Sequence, residues 1–310
     1  MKMTRLRDLI ASQPGITSAD NYQIRYAIDR FLARLVKSKY KENFVIKGGF
    51  LQGVIYNLDQ RATRDLDASV RDMKANYTAI EKAVLEICSI HLNDNVSFKL
   101  RSLESSQEGR IYSGFRAKLT MSFLEERTKI NFDLDIGVGD EITPRAQKIE
   151  FPLLFSEEKG KTETIEIFGY PRQTSQAEKL ETILVRGLSN SRMKDFYDMH
   201  LFYNDLESIS VHQSCEAFVK TWEFRHPETE INEELFLDWF DLLEDISSNK
   251  KFLNDYWPNY TKDKPFASPL SFKDIVQEII ELLKSIQEEY LTNKGEKYAR
   301  DKSSDTKEKL

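Results

Sequence analysis

Two cysteines, four histidines and no long apolar run are all that this 310-residue chain offers toward disulfide, zinc or membrane chemistry. Cys88 and Cys215 fall inside apolar helical patterns and read as buried thiols, not as a bridge. His91, His200, His212 and His226 show no zinc-type spacing with them. No stretch approaches the roughly 20 apolar residues of a membrane helix, and Met1–Asp8 runs into a charged amphipathic segment without an apolar signal core; no membrane association and a cytoplasmic location are expected. Excess positive charge is also missing. A net charge of −6 excludes nonspecific coating of nucleic acid, which depends on clustered lysine and arginine. It leaves room for a local basic groove, from Arg61 and Arg64 or from Arg186, Arg192 and Lys194, with scattered surface charge as the plainer reading of each. What remains is an ordinary balance, 40% hydrophobic and 31% charged, in a chain long enough for two folded domains.

The hydrophobic period changes repeatedly along the chain. Ile24, Ile28, Phe31, Leu32 and Leu35 recur as one helical face. Asn43–Lys47 then reads as a short strand, Gly48-Gly49 as a turn, and Leu51, Val54, Ile55 and Leu58 as a second helical face. Beyond the polar turn Asp59–Thr63, Arg64–Val70 alternates as a strand and Tyr77, Ile80, Val84 and Ile87 mark a helix. From Val96 to Phe168 the period is two, with Ile111, Phe115, Ala117, Leu119, Met121 and Phe123 in one strand and Ile130, Phe132, Leu134 and Ile136 in the next. Helical periodicity returns after Pro171 and persists to about Glu289; Ser175–Glu178 reads as a capping box and Gly187 as a helix stop. Residues 293–310 have little to bury and are expected to form a disordered tail.

Three pieces could carry chemistry. Gly48-Gly49, between strand and helix, lets backbone N–H groups approach a phosphate; alone, such a turn as readily serves only to pack a helix on a sheet. Asp65 and Asp67 share one face of their strand and repel each other unless a cation lies between, which suits Mg²⁺; an isolated pair could equally be a solvated acidic edge. Asn131, Asp133 and Asp135 share the polar face of a later strand, so that either aspartate could complete a carboxylate trio holding the metal ions of phosphoryl chemistry. Trp222, Trp239 and Trp257 read as core residues, not base-stacking platforms.

Taken in order, Phe44–Gly49, Arg61–Asp67, Asp135–Asp140, Ala177–Leu180 and Lys194–Asp198 resemble the AbiEii-type nucleotidyltransferases, over roughly residues 20–205 with a motif-poor continuation to about 290. The resemblance implies an enzyme that moves NMP from an NTP to an acceptor, with Mg²⁺ or Mn²⁺ as cofactor. Family members are toxins of abortive-infection or type IV toxin–antitoxin pairs, and some modify tRNA 3′ ends. It further implies that Gly48 and Gly49 contact the triphosphate, that Asp65 and Asp67 hold metal with Asp135 as third carboxylate, that Lys179 meets a phosphate, and that Asp195 is catalytic. Where many members have Gly-Ser, this chain has Gly-Gly, so contact there falls to the backbone. From spacing alone, Lys179 is an exposed lysine balanced by Glu178 and Glu181, and Asp195 and Asp198 are charges on the polar side of their helix.

The expected fold is α+β: a polymerase-beta-like nucleotidyltransferase domain with a mixed sheet over residues 1–170, then a mostly helical domain over 171–292, with the cleft between them. The expected acceptor is RNA, more narrowly a tRNA 3′ end, and an antitoxin regulator is the expected protein partner. Nucleotidylation of a small molecule or a protein, or a non-catalytic binding member of the fold, are the alternatives.

Overall fold

The computed structural model describes residues 1–13, 18–56, 64–105, 114–124, 126–156, 161–205 and 209–307, with side chains up to Lys294. Leu58, the turn Asp59–Thr63 with Arg61, and Ile111 lie outside the described residues. The chain divides into two compact units. One comprises Met1–Asp140 with Arg145–Tyr170, the other Glu141–Pro144 with Pro171–Leu310.

In the first unit, α1 (Met3–Ala11) and α2 (Ala19–Leu35) precede β1 (Phe44–Lys47), α3 (Gly48–Ile55), β2 (Asp65–Val70) and α4 (Tyr77–Cys88). Five strands follow: β3 (Val96–Ser105), β4 (Gly114–Phe123), β5 (Lys129–Val138), β6 (Gln147–Pro152) and β7 (Thr164–Gly169). They form one seven-stranded mixed sheet in the order β3-β4-β5-β2-β1-β7-β6. The pairs β2/β5 and β1/β7 are parallel, and the others are antiparallel.

Period-two alternation gives this sheet two unlike faces. Ile46, Leu66, Ala68, Ala117, Leu119, Phe132, Leu134 and Ile136 are buried on one of them. Helix α2 packs there: Tyr26 stacks on Phe123 with ring centroids 6.3 Å apart, and Phe31 meets Phe98 and Phe132 edge-on, each at 5.9 Å. Asp29, Arg30 and Arg34 of α2 are buried too. The Arg34 guanidinium donates to both oxygens of Asp94, at 2.8 and 2.9 Å, and to the Val96 carbonyl at 2.8 Å, which satisfies a charge that burial would otherwise penalise. Asp29 accepts from Arg25 at 2.7 Å and from the Leu154 N–H at 2.7 Å.

The second unit is helical, with α5 (Arg172–Arg186), α6 (Met193–Tyr203), α7 (Val211–Arg225), α8 (Glu233–Ser248), α9 (Trp257–Thr261) and α10 (Phe272–Lys307). Helix α5 starts earlier than the predicted capping box: Pro171, in extended conformation, occupies the cap position, and the Ser175 N–H is already bonded to the Pro171 carbonyl. Ser175 is therefore a buried first-turn residue and not a cap. Gly187 does end the helix, at φ +49°. Trp222, Trp239 and Trp257 are buried in aromatic clusters, with Trp222 and Trp239 4.6 Å apart and Trp257 5.6 Å from Phe272. Helix α10 continues past Asn293 to Lys307. Cys88 and Cys215 are buried free thiols, and loss of solvent pushes them up to about 12 and about 11.

Candidate active site

The polar face of the sheet gathers the acidic residues. Residues paired directly across strands project to the same face, and the register sets Asp67 opposite Asp135 and Asp65 opposite Asp133. Four carboxylates thus form a two-by-two block on β2 and β5. The row continues on both sides: Lys47 of β1 lies opposite Asp67, and Arg116 of β4 lies opposite Asp135. Along one line of the sheet the order is Lys47, Asp67, Asp135, Arg116.

Gly48 explains why a glycine must follow Lys47. Its φ is +72°, a region that residues with a Cβ enter at a cost, and a Cβ built there would lie 2.2 Å from the Asp67 Oδ2. The missing side chain leaves the space that the carboxylate uses. Gly49 does not share the positive φ; it sits in the first turn of α3, where backbone N–H groups have no partner within the helix.

The cations at the rim are committed unequally. Arg116 donates from Nε to Asp135 Oδ1 at 2.6 Å and from an Nη to Oδ2 at 2.8 Å, a two-pronged pair. Hydrogen bonding to Asp135 and then its charge, with Asp133 and Asp65 adding, shift the guanidinium pKa further upward. Arg101 reaches Asp133 only at 3.9 Å. Lys118, although opposite Asp133 in register, donates instead to Glu104 at 2.7 Å. Among the described residues no three histidine, cysteine, aspartate or glutamate side chains converge as a metal centre.

Behind the glycine turn, Lys47 donates to Asp140 Oδ2 at 2.6 Å and the Tyr170 hydroxyl donates to the same oxygen at 2.7 Å. Burial pushes the Asp140 carboxyl upward, but the Lys47 charge and the hydrogen bonds from Lys47, Tyr170 and Ser69 outweigh it and hold the group below the ordinary carboxylate range. This ties the strand end that carries Gly48 to the loop after β5.

The helical unit holds its own polar centre. Lys179 of α5 pairs with Asp195 at 2.8 Å and with Asp198 at 2.6 Å, both on α6, while Arg192 approaches Asp195 at 2.9 Å. Both carboxylates are buried, so the lysine is not an exposed charge among glutamates, and α6 has no solvated side at these positions. Burial raises the Asp195 carboxyl, yet Lys179, Arg192 and Lys194 together bring it below its ordinary range.

The profile of the AbiEii nucleotidyl transferase toxins, of type IV toxin–antitoxin systems, matches residues 30–278. The chain belongs to the AbiEii family. It is accordingly a nucleotidyltransferase of a toxin family, and the matched stretch includes the acidic block and the Lys179 cluster. Comparison with curated protein sequences gives no match. Two solved structures share the fold. A protein from H. pylori described as a candidate nucleotidyltransferase has a TM-score of 0.50 and 13% identity, covering 88% of this chain and 96% of its own. JHP933 from Helicobacter pylori has a TM-score of 0.50 and 12% identity, covering 92% and 99%.

Within this AbiEii chain, sequence reasoning had not singled out Arg116 or the Lys47–Asp140–Tyr170 cluster. Arg116 sits in a strand whose polar positions alternate with apolar ones, and that alternation reveals its face but not its partner. Asp198, which engages Lys179 as closely as Asp195 does, was visible as a carboxylate three residues on in the same helix. Glu181 is taken by Arg225 at 2.6 Å and His226 at 2.8 Å, so it does not balance Lys179.

Proposed function

We propose that this enzyme transfers NMP from an NTP to the 3′ hydroxyl of an RNA, with tRNA as the preferred acceptor and Mg²⁺ or Mn²⁺ as cofactor. The observation that carries this reading is the in-register carboxylate block beside Gly48. In the reaction the acceptor hydroxyl oxygen bonds to the α-phosphorus, the bond from that phosphorus to the bridging oxygen breaks, pyrophosphate leaves, and the hydroxyl proton passes to a base.

The residues fit a divalent cation by two criteria. Their donors are hard carboxylate oxygens on adjacent parallel strands, and the Gly48 turn leaves Asp67 the room that a Cβ would fill. Asp65, Asp67 and Asp135 would hold the ion, Asp135 being preferred to Asp133 because it lies opposite Asp67 and next to the glycine turn in the row. When bound, such an ion polarises the phosphate and favours ionisation of the attacking hydroxyl. The N–H groups of Gly48 and Gly49, at the positive end of α3, bind phosphate oxygens. Lys179 serves as a phosphate-binding point charge, and Asp195 as the catalytic carboxylate that orients it.

RNA is favoured as acceptor by exposed basic residues in each unit of an otherwise acidic protein, Arg64 in the first and Arg186, Arg192 and Lys194 in the second. The family implies an antitoxin as protein partner. No helix among the described residues is long and apolar enough to cross a membrane. The deciding experiment incubates the protein with Mg²⁺, each labelled NTP in turn, and total RNA. Label is expected in a tRNA-sized band, weakened steeply by salt and lost in Asp67→Asn. Label in protein or in a small product instead would overturn the RNA reading in favour of that acceptor.

A further inference from the structure

The charge on the acidic face is not balanced by its neighbours at random. Three cations stand on β3 and β4 near the block: Arg101, Arg116 and Lys118. Lys118 and Arg116 occupy equivalent places, two residues apart on β4, each directly opposite an aspartate of β5. Only Arg116 closes on its aspartate. It takes both oxygens of Asp135, whereas Lys118 turns to Glu104 on β3. An arginine engaged in two parallel N–H···O bonds leaves neither oxygen in its best direction for a divalent ion. The Arg116 side chain is 40% exposed while that of Asp135 is 14% exposed, so the guanidinium can leave toward solvent and the carboxylate stays in the row.

We propose that Arg116 is the built-in counter-cation of the nucleotide site: it holds Asp135 while no divalent ion is bound, is displaced when the ion takes that carboxylate, and then pairs with the triphosphate that arrives with the ion. This inference rests on the metal-binding reading of Asp65, Asp67 and Asp135. The physical basis is an exchange of partners. Four carboxylates packed on two strands need a cation at all times, and a guanidinium suits the metal-free state because it is always charged and matches a carboxylate in plane. Released, the same planar fork matches phosphate oxygens equally well. Arg116 is thus a positioning residue for Asp135 in one state and a phosphate ligand in the other. A purely structural cross-strand pair would stabilise the sheet modestly and leave ion affinity untouched.

The test measures Mn²⁺ binding to nucleotide-free protein by electron paramagnetic resonance of the unbound ion, and then NTP binding at saturating Mn²⁺. Arg116→Ala is expected to tighten Mn²⁺ by about tenfold and to weaken NTP by about tenfold, in line with the strength of a charge-assisted two-pronged pair. Lys118→Ala removes the same charge from the same strand without freeing Asp135, and is expected to change both by less than about threefold. Arg116→Lys should recover part of the NTP affinity, because a point charge replaces the fork. Equal effects of Arg116→Ala and Lys118→Ala, or no tightening of Mn²⁺ in Arg116→Ala, would overturn the role of Arg116 while Asp67→Asn still loses the ion. If Asp67→Asn binds Mn²⁺ as tightly as the unaltered protein, the metal-binding reading itself fails and takes the role of Arg116 with it.

Discussion

The substitution Gly48→Ala puts the geometry of the site under the sharpest strain. The new Cβ would stand 2.2 Å from Asp67 Oδ2, 2.7 Å from its Cγ and 2.9 Å from its Cβ, where real contacts stay beyond 3.0 Å. Asp67 must therefore withdraw by about 0.8 Å or more, or the turn must move by as much. A positive φ of +72° adds about 1–2 kcal/mol for any residue with a Cβ. The stability cost is then a few degrees in melting temperature, whereas displacement of a ligating or positioning group by about an ångström typically costs around a hundredfold in rate. The two effects separate in one experiment: thermal melts of the metal-free protein, and labelled-NTP transfer at saturating Mg²⁺. Gly49→Ser is the control, because Gly49 has no positive φ and a helical first turn accommodates serine. A Gly48→Ala protein that melts a few degrees lower but keeps full transfer would refute the claim that the empty Cβ position exists to seat Asp67.

Asp65→Asn and Asp67→Asn are each expected to abolish transfer while leaving the metal-free melting temperature unchanged or raised, since one charge leaves a crowded block; a variant with wild-type turnover removes that residue from the site. Asp135→Asn should reduce activity far more than Asp133→Asn in the same assay, and full activity of the Asp135 variant would move the third carboxylate elsewhere. Lys179→Ala is expected to lose transfer and to cost about 3–5 kcal/mol, because it strands two buried carboxylates without their shared cation; a melt within about 0.5 kcal/mol of wild type would show that the pair is dispensable. The folded-state Asp195 carboxyl lies below its ordinary value of 3.8, so its stabilisation is complete above that value and is lost as pH falls through the folded one. In Lys179→Ala the largest opposing charge is gone and burial should lift that carboxyl above 3.8, so the melting deficit relative to wild type should shrink as the pH is lowered from 7 toward 4; a deficit independent of pH would argue against the ion-pair account.

Much of this molecule was legible from local pattern. A strand carries side chains alternately to two faces, so Asp65 with Asp67, and Asp133 with Asp135, had to share a side wherever the strands went. The same periodicity marked the apolar face that α2 covers, the buried tryptophans and the buried cysteines, because each depends on neighbours a few positions away. The predicted capping box failed for a reason equally local: Pro171 can open a helix by its fixed φ, and Ser175 then has no end to cap. Register is another matter. Asp67 stands beside Asp135 and not Asp133 because β2 and β5, some seventy residues apart, slide into one alignment out of several that would all bury their apolar faces. Arg116 acquires Asp135 by the same alignment of β4 on β5, and Lys179 loses its solvent because α6 brings Asp195 and Asp198 to it. The chain by itself determined which residues share a face; only tertiary pairing decided which of them touch, since alternation is a property of one strand and register is a property of two.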